Sequence, residues 1–157
     1  MQISIASLLL LLVASTSATL EKRVGGYDAT CLEVRLDDNG NPQDLTGDCD
    51  SNTGKWTRKT RLDLNLCYSV DGDGHMFAQS GGHGLNNSNT GFPCEKCFNG
   101  NGYEVPKTYY ACDCTPYAEG GIYTHSGVDL DALISNEDGF LTCFNHTAVF
   151  LSEFINF

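Results

Sequence analysis

The chain has 157 residues, with nine Lys and Arg against 20 Asp and Glu and a formal charge of −11. A body this acidic repels phosphate backbones and anionic lipid heads, so nucleic acid and membrane are excluded as expected partners. The length suits one domain with a modest core.

At the N-terminus, Ile3 to Val13 is an apolar run and Ala14 to Ala18 supplies small residues. Residues 1–18 therefore read as a secretory signal peptide, although no Lys or Arg precedes the run. The run is too short to span a bilayer. The pair Lys22-Arg23 resembles a site for a Kex2-like protease, which predicts further processing after residue 23. The mature chain is then 24–157, a single secreted, extracellular domain. All eight Cys fall within it. An even count behind a signal peptide predicts four disulfides. A zinc site on Cys94-x-x-Cys97 and Cys112-x-Cys114 is the rival, disfavoured because secreted thiols oxidise.

Two copies of one unit follow, about 27–78 and 91–144, joined by a linker over 79–90. Leu62-Asp63-Leu64-Asn65 returns 66 residues later as Val128-Asp129-Leu130-Asp131. Seventeen residues separate Cys31 from Cys49, and seventeen separate Cys94 from Cys112. Each copy continues to a Ser (Ser69, Ser135) and an Asp-Gly turn (Asp73-Gly74, Asp138-Gly139). The repeat supports Cys31–Cys49, and Cys94 with Cys112 or Cys114. Cys67, Cys97, Cys143 and the remaining one of Cys112 and Cys114 stay unassigned.

Residues 31–36 alternate apolar and polar, the period of a half-buried strand. The cluster 37–42 is a turn, and Leu45 to Cys49 returns as a strand. Gly54 to Arg61 reads as a third strand with Trp56 toward the core. Its basic residues, Lys55, Arg58, Lys59 and Arg61, form one charged strand face. Residues 62–66 suit a helical turn that Asp63 can cap. A turn at 71–74 precedes a strand starting at His75. The second unit repeats this plan: a strand within Tyr103–Ala111, a third strand over Gly120–Thr124, a helical turn over Val128–Ile134, and a closing strand over 140–144. The tail 145–157 is expected to pack against the body with a frayed end. The fold class is all-β.

No catalytic constellation emerges, and no enzyme activity is expected. None of the four His stands in a metal-type pair, bonded Cys offer no nucleophile, and no Ser sits in a nucleophile elbow. A glycosidase carboxylate pair is the one catalytic alternative. Asp37, Asn39, Asn41 and Asp48 fall at EF-hand positions, but Pro42 replaces the required Gly, so a hairpin turn is read instead. No metal and no cofactor are expected. Asn86 and Asn145 head N-glycosylation sequons.

These features in this order, twice, resemble the cyanovirin-N homology family. The nearest match is Val128-Asp-Leu-Asp131 through Ser135-Asn-Glu-Asp-Gly139. Cys94-x-x-Cys97 and Cys67 are similar to those of Cys-rich fungal members. The resemblance implies a pseudo-two-fold all-β body with strands exchanged between the halves, as a monomer or a strand-exchanged dimer. It also implies a lectin that binds oligomannose-type glycans at one shallow site per lobe, without metal. One site would gather Thr30, Asp50, Asn52, Asn136 and Asp138. The other would gather Asp71, Asp73, Thr90, Thr115 and Tyr117. There the family's Asn corresponds to Asp71, and an extra Gly72 lengthens the turn. The alternative is a secreted interaction or effector protein on the same scaffold without sugar binding.

Overall fold

The computed structural model describes residues 25–37, 43–82, 84, 85, 94–100, 102–116 and 122–155. The signal peptide, the dibasic pair, Asn86, Thr90 and Tyr117 lie outside them. A 3-10 turn, Tyr27–Ala29, leads into β1 (Cys31–Leu36), β2 (Asp44–Asp50) and β3 (Trp56–Asp63). A second 3-10 turn, Leu64–Leu66, leads to the hairpin of β4 (Tyr68–Val70) and β5 (Met76–Ala78). The plan recurs as β6 (Cys94–Asn99), β7 (Tyr109–Cys114), β8 (Thr124–Asp129), a 3-10 turn at Leu130–Ala132, β9 (Ser135–Glu137) and β10 (Phe140–Cys143). Two further strands close the chain, β11 (His146–Thr147) and β12 (Val149–Ile155). Among the described residues no helix is long and apolar enough to cross a membrane.

The two strand triplets match residue by residue. Cys31 lies opposite Cys49 as Cys94 lies opposite Cys114. Both first strands bulge at a non-glycine residue with left-handed backbone, Glu33 (φ 50°) and Lys96 (φ 52°). A bulge at one place in each triplet gives both ribbons the same local twist. Asp63 and Asp129 then stop β3 and β8. Each carboxylate accepts the N–H two residues on, at 2.9 and 3.1 Å, and so starts the 3-10 turn. The cap explains why each turn is shorter than expected and why each strand ends later. Leu62 and Val128 stay extended, and the second unit's third strand runs from Thr124 to Asp129 rather than from Gly120. Likewise β7 begins at Tyr109, past the loop of Tyr103.

The hairpins change places. β10, from the second half, packs on β3 and β2, and the Leu141 N–H meets Thr60 Oγ1 at 3.5 Å. β5, from the first half, packs on β8, and the Met76 N–H donates to Ser126 Oγ at 2.7 Å. Each lobe therefore mixes both halves, within one chain. Buried between them are Leu45, Leu62, Leu64, Leu130, Ile134 and Leu141, all at 0–1 % exposure. Each such side chain contributes about 1.5–3 kcal/mol. Trp56 is not among them. It stands half-buried at the start of β3, with the Lys55 ammonium 5.6 Å from its ring. The tail packs against the body as expected, and does so as a strand, β12 hydrogen-bonding along β3 from Val149 to Ile155.

All eight Cys are paired, as Cys31–Cys49, Cys94–Cys114, Cys97–Cys112 and Cys67–Cys143. The first two are the repeat-related pair. The others leave no thiolate for zinc.

The core holds one expense. The hydroxyls of Tyr27, Tyr68 and Tyr110 are buried with no hydrogen-bond partner among the described residues. Burial pushes all three phenols above their usual range. Replacing one such hydroxyl by hydrogen removes an uncompensated desolvation. Tyr110→Phe will therefore be neutral or stabilising by about 1 kcal/mol in urea unfolding. A loss of stability would mean that the hydroxyl has a partner.

Candidate functional site

The site grows from the Asp138-Gly139 turn. Both residues have positive φ, 54° and 89°, and Glu137 lies opposite Phe140, which makes a two-residue type I′ hairpin. That tight turn fixes Asn136 on β9. Its amide Nδ2 donates to Thr30 Oγ1 at 3.1 Å and to the Asp50 carbonyl at 2.8 Å. Its Oδ1 accepts the Gly139 N–H at 2.8 Å. One side chain thus joins the turn to the chain before Cys31 and after Cys49. Asp50 N–H in turn donates to the Thr30 carbonyl at 2.9 Å.

The Asp138 carboxylate makes the second tie. It accepts the Asn52 N–H at 3.0 Å and meets Arg58 Nη1 at 3.0 Å. Arg58 also donates to the Asp138 carbonyl and pairs with Glu153 of β12 at 2.9 Å. The Asn52 N–H, and then the Arg58 guanidinium, hold the Asp138 carboxyl below the usual carboxylate range. A depressed folded value means the tie is fully present at neutral pH and is lost as pH falls through that value. Carboxyl carbon titration will show Asp138 protonating below ordinary Asp residues, with Arg58→Ala moving its midpoint upward. An unmoved midpoint would remove Arg58 from the account. A glycosidase acid needs the opposite shift, so Asp138 is unsuited to that role.

Between these ties lies a cleft of about 390 Å³, lined by Thr30, Asp50, Ser51, Asn52, Ser135, Asn136 and the glycines Gly25 and Gly26. Its glycine wall is held from the second half, where Gly26 N–H donates to the Asp131 carbonyl at 2.8 Å. Gly25 has φ 84°, and a Cβ there would fall 2.3 Å from the same oxygen. No other residue allows that approach. The cleft presents a hydroxyl, a carboxylate, amides and backbone groups on a braced rim, the inventory that sugar hydroxyls need.

All five expected residues of this site, Thr30, Asp50, Asn52, Asn136 and Asp138, come together here. Gly25, Gly26, Ser51, Ser135 and Arg58 were not expected. Arg58 had no signal of its own, since its neighbours on β3 are equally basic.

The other turn is built differently. Val70 lies opposite Met76 as Asn136 lies opposite Leu141. The amide's place therefore belongs to Val70, 8 % exposed, and Asp71 falls one residue later, in the turn. A Val can reach no carbonyl. Asp71 Oδ1 instead closes its own turn, accepting the N–H groups of Asp73 at 3.0 Å and His75 at 2.8 Å. Those bonds, the His75 N–H first, lower its carboxyl below the usual range. Asp73 offers its carbonyl to Thr124 Oγ1 at 2.8 Å, where Arg58 serves the equivalent Asp138. Thr115 follows β7, half-buried. Asp71, Asp73 and His75 could each turn one ligand atom toward a cation, these atoms lying within 4.8 Å of one another. Turn closure already accounts for Asp71.

An all-β body of exchanged hairpins, with a polar cleft where the halves meet, defines the class. The cyanovirin-N homology (CVNH) domain model matches residues 27–142, and the chain belongs to that family. No curated protein sequence matches at a significant level. Several solved structures share the fold. Microvirin, solved with mannobiose, is 21 % identical at a TM-score of 0.54, over 76 % of this chain and 99 % of its own. A variant of MoCVNH3, solved with (N-GlcNAc)4, is 16 % identical at 0.57, over 78 % and 100 %. The CVNH protein of Gibberella zeae is 17 % identical at 0.54, over 74 % and 95 %.

Proposed function

We propose that the chain is a secreted lectin that binds neutral oligosaccharides of the oligomannose type in the Asn136 cleft, without metal and without catalysis. The observation that carries this is the convergence of Thr30, Asp50 and Asn136 from both halves on one rigid rim. Family membership supports it, as do the sugars in the microvirin and MoCVNH3-variant structures. The apolar leader and four disulfides support secretion. Exchange of its hairpins within one molecule supports a monomer over a strand-exchanged dimer. Among the described residues the second turn has Val70 in place of the amide, so the tie that braces the first cleft is not repeated there.

The test is a titration of oligomannose into the isotope-labelled chain starting at Val24, following backbone amides, with the GlcNAc tetramer alongside. Shifts at Gly26, Thr30, Asn52 and Asn136 are expected, larger for mannose. A folded chain that responds to neither sugar would leave the scaffold without sugar binding, and the lectin assignment would fall. A stronger response to the GlcNAc tetramer would change the sugar but keep the cleft.

A further inference from the structure

A strip of rings covers the outer face of β6, β7 and β8. Phe98 on β6 stacks on His125 of β8, with centroids 6.0 Å apart and planes 17° from parallel. Tyr109 of β7 lies across Gly127, where a Cβ would fall 2.0 Å from the phenol oxygen. Ala111 sits between, opposite Phe98 on one side and Gly127 on the other. It is 0 % exposed although it belongs to the outward row, so the rings roof it. At the end of the strip Asp113 meets His125 Nδ1 at 3.1 Å and Lys96 Nζ at 3.6 Å.

The fold does not require this paving. Arg35 lies opposite Thr46 as Phe98 lies opposite Ala111. Lys59 stands opposite Asp48 as His125 stands opposite Asp113, and Arg61 opposite Thr46 as Gly127 opposite Ala111. In the first half Lys59 pairs with Asp48, and Arg61 with Asp44 and Asp37, on an ordinary charged face. In the second half two rings and a glycine replace three cations. Phe98 remains 41 % exposed, and His125 is exposed as well. Exposed apolar area grouped inside a polar rim marks a contact surface.

We propose that this strip is a second glycan-binding surface, taking a short neutral oligosaccharide. The apolar faces of its pyranose rings lie on Phe98, Tyr109 and His125, while hydroxyls reach Asp113 and Lys96. Three strands about 4.8 Å apart make the strip roughly 10–15 Å across. That fits a short sugar chain and falls well below the ~800 Å² per partner of a stable protein interface. The charge of −11 disfavours polyanions. Aromatic faces with carboxylate and ammonium partners at one end match a ligand that is apolar on its ring faces and hydroxylated on its edges. None of these residues lines the Asn136 cleft, so the surface is independent of it.

The experiment uses the chain from Val24 carrying Asn136→Ala and Asp138→Ala, which disables the cleft. Mannotetraose and the GlcNAc tetramer are titrated to millimolar concentration while amide shifts are followed. Shifts at Phe98, Ala111, His125 and Gly127 are expected for at least one probe. Adding Phe98→Ala and His125→Ala will weaken that binding about tenfold. Both side chains are exposed, so an unchanged spectrum elsewhere certifies the fold. No response on β6–β8 from either probe overturns the proposal, and the lectin assignment can still stand on the intact cleft. Shifts that follow protein concentration without sugar also overturn it, since the rings would then meet a second copy. A response on β6–β8 with a silent cleft in the unaltered chain would keep this surface and sink the cleft.

Discussion

Replacing Cys67 and Cys143 together by Ala will lower the unfolding free energy by about 4 kcal/mol in urea, with the other three disulfides intact. The bond closes a loop with a sequence separation of 76 and ties the end of the first half's 3-10 turn to β10. Without it, the hairpin that completes the first lobe is held there by packing and by the Asn136 and Asp138 side-chain ties. A contrast sharpens the expectation. Cys97–Cys112 spans only 15 residues inside a hairpin that Cys94–Cys114 already closes. Loss of that inner bond constrains the unfolded chain less and will cost well under 3 kcal/mol. Equal costs for the two pairs would show that local strain, and not loop length, sets their worth.

The second large effect falls on Asn136. Asn136→Ala will abolish oligosaccharide binding at the cleft and lower stability by about 1–3 kcal/mol. The amide serves Thr30, the Asp50 carbonyl and the Gly139 N–H at once, and Gly139 is buried. Truncation leaves that N–H and that carbonyl without their partner. Asn136→Asp separates the two roles. It keeps the acceptor for Gly139 and loses the donors, and it sets a carboxylate against the Asp50 carbonyl. The turn will persist in amide spectra while the link to Thr30 and Asp50 opens. Binding by Asn136→Asp equal to the parent chain would show that this link does not shape the cleft.

Features that depend on near neighbours were legible. Asp63 caps its turn because a carboxylate two residues from an open N–H needs nothing else. Asp138-Gly139 makes a tight hairpin because those residue types accept positive φ. Cys31 and Cys49 face each other because the alternating strand and its return fix the register. The tail was harder. Val149 to Ile155 has strand-prone residues, but its partner β3 lies about ninety residues earlier, and nothing in the tail names it. β6 was hidden for a related reason. Its pattern is mostly exposed, so no alternation marked it. In the second turn the extra residue was seen, yet only strand pairing showed that Val70, and not Asp71, stands where Asn136 does.

By itself the sequence determined the duplicated all-β plan and the oxidised cysteines, which follow from residue type and spacing acting over a few bonds or repeating along the chain. The five residues of the first site were named through the family resemblance that the repeat carries. Tertiary structure alone decided which sulfur meets Cys94, that Arg58 would hold Asp138, and that rings would pave one sheet face while ion pairs cover its counterpart. Each of those outcomes turns on distances across strands from different parts of the chain. Such distances exist only once the exchanged hairpins have docked.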